Sequence, residues 1–310
     1  ARNSMSTQTP ALLISGLQKT YGNLDVLKGV NLTLTSGSIQ GLVGLNGSGK
    51  TTTLECILGL QRFDQGEVSV LGLVPTDLCT AQGKVTAVFD SPSLNPNLTV
   101  RQCLQHASLL NKQSRRHPKE LEKLLGLYQF SNFPIKTLSL GNKRRASIAH
   151  ALISEPDLVI MDEPFNGLDA GGVDEVLLLI KTLNQERGTS FLLSSHQLPY
   201  LEDICSHLAI LHEGKIIRSG EKSALLRSET NKVRLRTNDP IGAASALQTI
   251  SGISCQPGTM DEEIWVSSDV MNAAAINSHL AEHRIPVYEL ATERASLGVL
   301  FRRLTQGSDS

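Results

Sequence analysis

No stretch of this chain runs for about 18 or more apolar residues without a charge, so no segment has the make-up of a transmembrane helix. No signal peptide is evident either. Cysteine is sparse and shows no pairing pattern: Cys56, Cys79, Cys103, Cys205 and Cys255 make five, with no C-x-x-C among them. An odd, scattered set excludes a disulfide framework and a zinc site, and suits reduced, mostly buried thiols in the cytosol. Excess charge of one sign is missing too, the formal net charge being −1 at pH 7. That argues against a general nucleic-acid binder and leaves room only for a local basic face. Any membrane role is therefore expected to come through a partner. Ala1-Arg2-Asn3-Ser4 ahead of Met5 reads as a cloning scar, and residues 1–10 as that scar plus a disordered N-terminus.

What is present fits a globular protein. The 310 residues suffice for one large domain or two ordinary ones. Apolar residues at 40% and charged residues at 19% are ordinary proportions for a soluble fold.

The most informative stretch is Gly44-Leu45-Asn46-Gly47-Ser48-Gly49-Lys50-Thr51. It fits G-x-x-x-x-G-K-[ST], in which glycines let backbone N–H groups form a nest for phosphate oxygens. Lys50 then reaches the β- and γ-phosphates, and the Thr51 hydroxyl is offered to Mg²⁺. The flanks agree. Ile39 to Val43 reads as a buried strand and Thr52 to Leu58 as a helix stopped near Gly59. A helix N-terminus under the phosphates favours anions.

Leu12-Leu13-Ile14, Leu17 to Tyr21, Val26-Leu27 and Val30 to Leu34 predict an antiparallel β layer ahead of the loop. Tyr21 is either an aromatic that stacks on a base or an ordinary strand-edge tyrosine. Gly66 to Leu71 and Val85 to Phe89 read as strands, with Asp90 at the end of the second. In open α/β sheets, ligands sit at such ends. Thr99 should cap a helix from Val100 to about Leu110, and Pro118 should open another reaching about Leu127. Ser139 should cap a helix carrying Ile148, Ala149 and Leu152. Lys143-Arg144-Arg145 on that helix reads as a solvated charge run, at least in part, because three adjacent positions cannot share one helix face.

Leu158 to Met161 is a continuous apolar run, as in a parallel strand buried on both faces, and it ends in Asp162-Glu163-Pro164. If the strand continued, the two carboxylates would point in opposite directions, one to a Mg²⁺ shell and one to a water. A turn, Phe165 to Asp169, precedes a helix with Val173, Val176, Leu177, Ile180 and Leu183 in a stripe and Gly188 at its end. Ser190 to Leu193 is the next strand. His196 follows it, so it ranks above His106, His117, His150, His207, His212, His279 and His283 as a functional histidine. Leu208 to Leu211 and Lys215 to Arg218 read as a hairpin. After a break near Gly220 the pattern restarts as βαββαβ plus a helix, a split-βαβ arrangement with no glycine loop and no paired carboxylates on a core strand. Asp261-Glu262-Glu263 reads as a turn and strand start there, not a metal site.

From about Leu12 to Gly220 these motifs resemble the nucleotide-binding subunit of an ATP-binding cassette (ABC) transporter. The phosphate loop alone leaves GTPases, kinases and helicases open. Leu138-Ser139-Leu140-Gly141, then Asp162-Glu163, then Asn166-Gly167-Leu168-Asp169, then His196, stand in the family's order of signature, Walker B, D-loop and switch histidine. The resemblance implies an α/β P-loop fold with a mixed core sheet, an antiparallel β subdomain and a helical subdomain, followed by a small ferredoxin-like α+β domain. Residues 11–220 would form the ATPase domain, with the helical subdomain at about 91–157, and 221–310 an accessory or regulatory domain.

The resemblance also implies roles. Asn46, Gly47, Ser48, Gly49, Lys50, Thr51 and Thr52 would hold the phosphates of ATP, and Tyr21 would stack on adenine. Thr51, Asp162 and Asp90 would face Mg²⁺. Glu163 would polarise the attacking water, and His196 would contact the γ-phosphate. Asp169 is the D-loop aspartate, and Ser139 and Gly141 would complete the site of a second subunit. Partners implied are a second ATPase subunit, identical or homologous, and a separate permease on the cytoplasmic face of the membrane; no nucleic acid is expected. Leu140 and Asn142 depart from the family's usual LSGGQ, and Asp90 stands where Gln or Glu is usual. The stretch from Asp90 to Thr99, the LSLG variant and the C-terminal domain are similar to those of bacitracin- and daunorubicin-type exporters. Two other readings are a soluble cassette protein of translation or DNA repair, and a degenerate cassette that only binds ATP and regulates.

Overall fold

The structure is a computed structural model and describes residues 9–91, 93–111, 116–227, 232–258, 260, 262–268, 270–293 and 296–306. Expectations that touch residues 1–8, Pro92, Asp261 and Asp269 lie outside the described residues. Two compact units divide the chain, the first ending at Lys222 and the second beginning at Ser223.

The first unit opens with an antiparallel hairpin, β1 (Leu12–Tyr21) and β2 (Leu24–Leu34). Leu12, Ile14 and Leu17 of β1 and Val30, Leu32 and Leu34 of β2 are buried. This is the alternation expected of strands with one apolar face. After β3 (Ile39–Val43) and α1 (Lys50–Ile57), β4 (Gln65–Val70) joins β1 to give a sheet of order β2-β1-β4.

Next come β5 (Val85–Val88) and three helices, α2 (Val100–Leu110), α3 (Pro118–Leu124) and α4 (Leu140–Leu152). Thr99 and Gln102 form a reciprocal capping box on α2: Gln102 N donates to Thr99 Oγ1 at 3.2 Å, and Thr99 N to Gln102 Oε1 at 2.9 Å. α3 stops short of Leu127 because Gly126 turns left-handed at φ 64° and Leu127 N donates back to Glu122 O at 2.6 Å. Glu122 is fully buried beneath it, paired with Arg101 and accepting from Ser131 Oγ at 2.7 Å.

The core sheet is completed by β6 (Leu158–Asp162), β7 (Ser190–Ser195), β8 (His207–His212) and β9 (Lys215–Glu221), with α5 (Ala170–Arg187), α6 (Leu198–Ile204) and α7 (Lys222–Arg227) between or after them. Its order is β5-β6-β7-β3-β8-β9, parallel except for the antiparallel β8–β9 pair. Every residue of β3, β6 and β7 is buried, as the continuous apolar run Leu158 to Met161 of β6 leads one to expect. Asp169 caps α5 by accepting from Gly172 N at 3.0 Å, and Gly188 ends it at φ 68°. Each fully buried aliphatic residue on the α5 stripe contributes about 1.5–3 kcal/mol by leaving water. The parallel pairing has one consequence for function. The C-terminal ends of β5, β6, β7 and β3 must lie along a single edge of the sheet.

The second unit runs β10 (Lys232–Arg236), α8 (Pro240–Gln248), β11 (Ile253–Pro257), β12 (Glu263–Ser268), α9 (Ala273–Glu282), β13 (Glu289–Glu293) and α10 (Leu297–Gln306). Its sheet is antiparallel throughout, with order β11-β12-β10-β13. That is the ferredoxin-like, split-βαβ arrangement. Val233, Leu235, Ala243, Leu247, Ile264, Val266, Ile276 and Leu280 form its core. Val287 packs against this core from the segment that leads into β13.

Candidate active site

The loop from Gly44 to Gly49 joins β3 to α1, and its glycines answer close contacts. A Cβ on Gly44 would lie 2.4 Å from Ser48 Oγ and 2.6 Å from Leu211 O. Gly49, the N-cap of α1, has φ 104°, a left-handed conformation that a side chain strains. Lys50 at the first turn is 6% exposed. Its Nζ donates to Gly44 O at 2.8 Å and Leu45 O at 3.3 Å. Ser48 Oγ is buried and has no hydrogen-bond partner. A buried hydroxyl of that kind calls for an acceptor. A phosphate oxygen in the nest would supply it.

The ends of β6 and β7 meet this loop. Thr51 Oγ1 donates to Asp162 Oδ2 at 2.8 Å, and Ser194 Oγ donates to Asp162 Oδ1. Glu163 does not continue β6. It turns into the left-handed region at φ 47°, a conformation costing of order 1–3 kcal/mol in a non-glycine residue. The turn brings both carboxylates, buried at 3% and 8% exposure, to the same edge and does not splay them to opposite faces. Glu163 Oε2 accepts from Ser195 Oγ at 2.8 Å, and Oε1 lies 2.9 Å from His196 Nδ1 and 3.6 Å from Lys50 Nζ. Glu163 N is held by Ser194 O at 2.9 Å.

Lys50, Thr51, Asp162, Glu163 and His196 line an open cavity of about 460 Å³, which also takes in Asn46, Gly47, Thr52 and Asp90. Among the described residues, no three His, Cys, Asp or Glu side chains cluster as a preformed metal site. Mg²⁺ suits such a place, because it is usually held by one or two carboxylates, waters and substrate phosphates. The hydroxyl–carboxylate pair Thr51–Asp162 and the orphaned Ser48 Oγ fit Mg²⁺ and the phosphates of ATP.

The other expected site residues lie elsewhere. Tyr21, 42% exposed, ends β1 with Lys19 Nζ 4.9 Å from its ring centroid, and does not line the cavity. Ser139 caps α4, its Oγ accepting from Asn142 N at 3.2 Å. The start of α4 packs on the turn before α5: a Cβ on Gly141 would meet Gly167 O at 2.8 Å, and Leu140 lies over Gly167. Asp169 in that turn pairs with Arg145 at 3.6 Å. This second constellation also stays off the cavity wall.

Asp90 is engaged. Its Oδ1 accepts from Arg144 Nη2 at 2.8 Å and from Asn166 Nδ2 at 3.1 Å. Arg144 is 1% exposed, so the basic triplet on α4 is not a wholly solvated run. Burial pulls the Arg144 guanidinium below its ordinary value, opposed first by Asp90 and then by Asp162 and Glu163. Of the five cysteines, Cys56, Cys103 and Cys205 are buried, Cys79 is exposed and Cys255 is partly buried; burial pushes the Cys56 thiol up to about 11. Sequence reasoning gave no role to Ser194, Ser195 or Gln197, and placed Asn166 only within the D-loop stretch. The available signal was their position, next to His196 at the end of a core strand or just after the paired carboxylates.

A phosphate loop, two carboxylates and a histidine on one edge of a mixed sheet, with a three-stranded antiparallel layer and a helical insert, define a cassette-type P-loop ATPase. A family model described as ABC transporter matches residues 27–166. The chain is 30% identical over 296 residues to the bacitracin transport ATP-binding protein BcrA of Enterococcus faecalis, covering 94% of this chain and 95% of that protein. It is also 30% identical over 306 residues to the linearmycin resistance ATP-binding protein LnrL of Bacillus subtilis (strain 168), covering 95% and 98%. Among solved structures, the ATP-binding cassette MJ0796, dimeric and bound to ADP and Pi, matches with a TM-score of 0.62 at 27% identity, covering 68% of this chain and 98% of that one. The chain belongs to the ATP-binding subunits of ABC transporters. Members of this family hydrolyse ATP with Mg²⁺, pair as cassettes and serve a separate transmembrane permease. Among the described residues no helix is long and apolar enough to cross a membrane.

Proposed function

We propose that this chain powers export of a drug or antimicrobial peptide through a separate permease, at the cytoplasmic face of the membrane. The observation that carries the reading is the convergence of Lys50, Asp162, Glu163 and His196 on one cavity. The class of cargo rests on the names of relatives concerned with bacitracin transport and linearmycin resistance.

In this reading the loop amides and Lys50 bind and orient the β- and γ-phosphates. Thr51 and Asp162 would hold Mg²⁺, which when bound offsets charge on the phosphate oxygens. Glu163 orients a water in line and takes its proton on the carboxylate. His196 Nδ1 stays against Glu163 Oε1 and leaves Nε2 to face the γ-phosphate. Tyr21 lies under the base. Ser139 and Gly141 serve the loop of a second subunit, so one chain carries two complementary half-sites. Asp169 caps α5 and ties that helix to Arg145 beside the signature segment. The second unit is accessory or regulatory.

The experiment is affinity purification of the full chain from detergent-solubilised membranes of its source. A polytopic membrane protein should co-purify, and Mg²⁺-dependent ATPase activity should accompany it. Hydrolysis with no membrane protein recovered would contradict the transport role.

A further inference from the structure

Arg144 is a fully buried cation on α4, in the helical insert, yet its hydrogen bonds go to Phe89 and Asp90, just past the end of β5. Its Nη1 and Nη2 donate to the carbonyls of Phe89 and Asp90, and Nη2 also reaches Asp90 Oδ1 at 2.8 Å. A guanidinium suits this clamp, because its planar fork offers several fixed donors. The clamp falls where β5 gives way to the insert.

Contacts run onward from the same Asp90 oxygen. Asn166 Nδ2 donates to it at 3.1 Å. Gln197 Nε2 donates to Asn166 Oδ1 at 2.8 Å, and Gln197 N donates to Ser195 Oγ at 3.1 Å. Ser195 Oγ donates to Glu163 Oε2 at 2.8 Å. Hydrogen bonds, joined at Gln197 through its own side chain and backbone, therefore link the buried cation of α4 to the carboxylate beside Lys50. They pass through residues from four separate segments of sequence.

Resting on the reading of Glu163 as the catalytic carboxylate, we propose that Asp90 is a positioning residue held by Arg144, and that the Arg144–Asp90–Asn166–Gln197–Ser195 chain sets the orientation of Glu163. Asp90 then acts through hydrogen bonds and not as a ligand of Mg²⁺. Hydrogen bonds linked in this way polarise and strengthen one another, so losing one member weakens the hold on Glu163.

The test uses the purified full chain with Asp90→Ala, Asp90→Asn, Asn166→Ala and the Asp90→Ala/Asn166→Ala double variant. Steady-state hydrolysis, binding of a fluorescent ATP analogue, and Mn²⁺ half-saturation by electron paramagnetic resonance are measured together. Asp90→Ala and Asn166→Ala should each lower kcat about tenfold, and the double variant should be no worse than either, as expected for members of one network. Asp90→Asn keeps the Oδ1 acceptor and should stay within about threefold of the parent chain. Mn²⁺ half-saturation and nucleotide affinity should move by less than about twofold in all four, since the proposal removes no metal or phosphate contact. A rise of about tenfold in Mn²⁺ half-saturation for Asp90→Ala or Asp90→Asn would make Asp90 a ligand and overturn the proposal. Multiplying effects of Asp90→Ala and Asn166→Ala would overturn it as well. If Asp90→Ala does not fold, Gln197→Ala breaks the chain one step further on and must show the same loss of kcat. A parent chain that neither binds nor hydrolyses ATP would instead contradict the reading of the site itself.

Discussion

Lys50 and Glu163 face each other at the phosphate cavity, with Nζ 3.6 Å from Oε1, and both side chains are at least nine-tenths buried. In the proposed function, the lysine that would serve the phosphates is thereby held in the same electrostatic unit as the carboxylate that would serve the water. Replacing it should separate the two roles. Lys50→Ala should weaken ATP binding at least tenfold, a loss of about 1.4 kcal/mol or more. Isothermal titration with ATP and Mg²⁺ would measure it, and an unchanged affinity would contradict the placement of the phosphates.

Ser139 does not line its own chain's cavity, which separates binding from turnover. Ser139→Ala should leave ATP affinity of the isolated chain within about twofold and lower turnover severalfold, because in the proposed function its contact with nucleotide forms only in the paired state. It should also cost about 1 kcal/mol of stability through the lost cap on α4. Equal losses in affinity and turnover would place Ser139 in the cis site instead.

Glu122 is the buried anion of the helical insert, and Arg101 and Ser131 both depend on it. Glu122→Ala should destabilise the fold by about 3–5 kcal/mol, because it strands a partly buried cation. Replacing Arg101 and Glu122 together by Met and Leu should cost much less. Urea midpoints of the three proteins would decide it.

Partial burial on α4, and after it the neighbouring His106, pull His150 below the ordinary histidine value. Between the lowered value and about 6.5, the unfolded chain holds a proton that the folded chain lacks. Stability is therefore fully present above that range and falls as the pH drops through it. Melting temperatures measured from about pH 7.5 to about pH 5 should decline more steeply for the parent chain than for His150→Gln. Parallel curves would show that another group sets the slope.

The core of the fold was legible because its signals are local. The Gly44–Thr51 loop, the apolar run of β6, the Thr99 and Ser139 caps and the Gly188 stop each depend on neighbours in sequence, and each stands in the structure where its chemistry put it. Three features were not legible. Glu163 leaves the strand path because Ser194 and Ser195, some 30 residues on, capture its backbone and carboxylate. Arg144 is buried because Phe89, Asp90 and the insert close around it, which a basic triplet does not announce. The short α3 follows from a carbonyl contact across Gly126 that helical periodicity does not register. In each case a long-range or backbone contact outweighed the local pattern.

In the proposed function Glu163 would do the chemistry, in a site shared with a second cassette. Glu163→Gln keeps the shape of the side chain and its acceptor for Ser195, and removes the charge that orients the water. ATP hydrolysis by the purified variant, measured beside its nucleotide affinity and its elution volume with ATP, tests this most directly. Turnover should fall by about a hundredfold or more, the scale of a lost general base, while affinity is kept and an ATP-bound dimer accumulates. Hydrolysis at the parent rate would contradict the account.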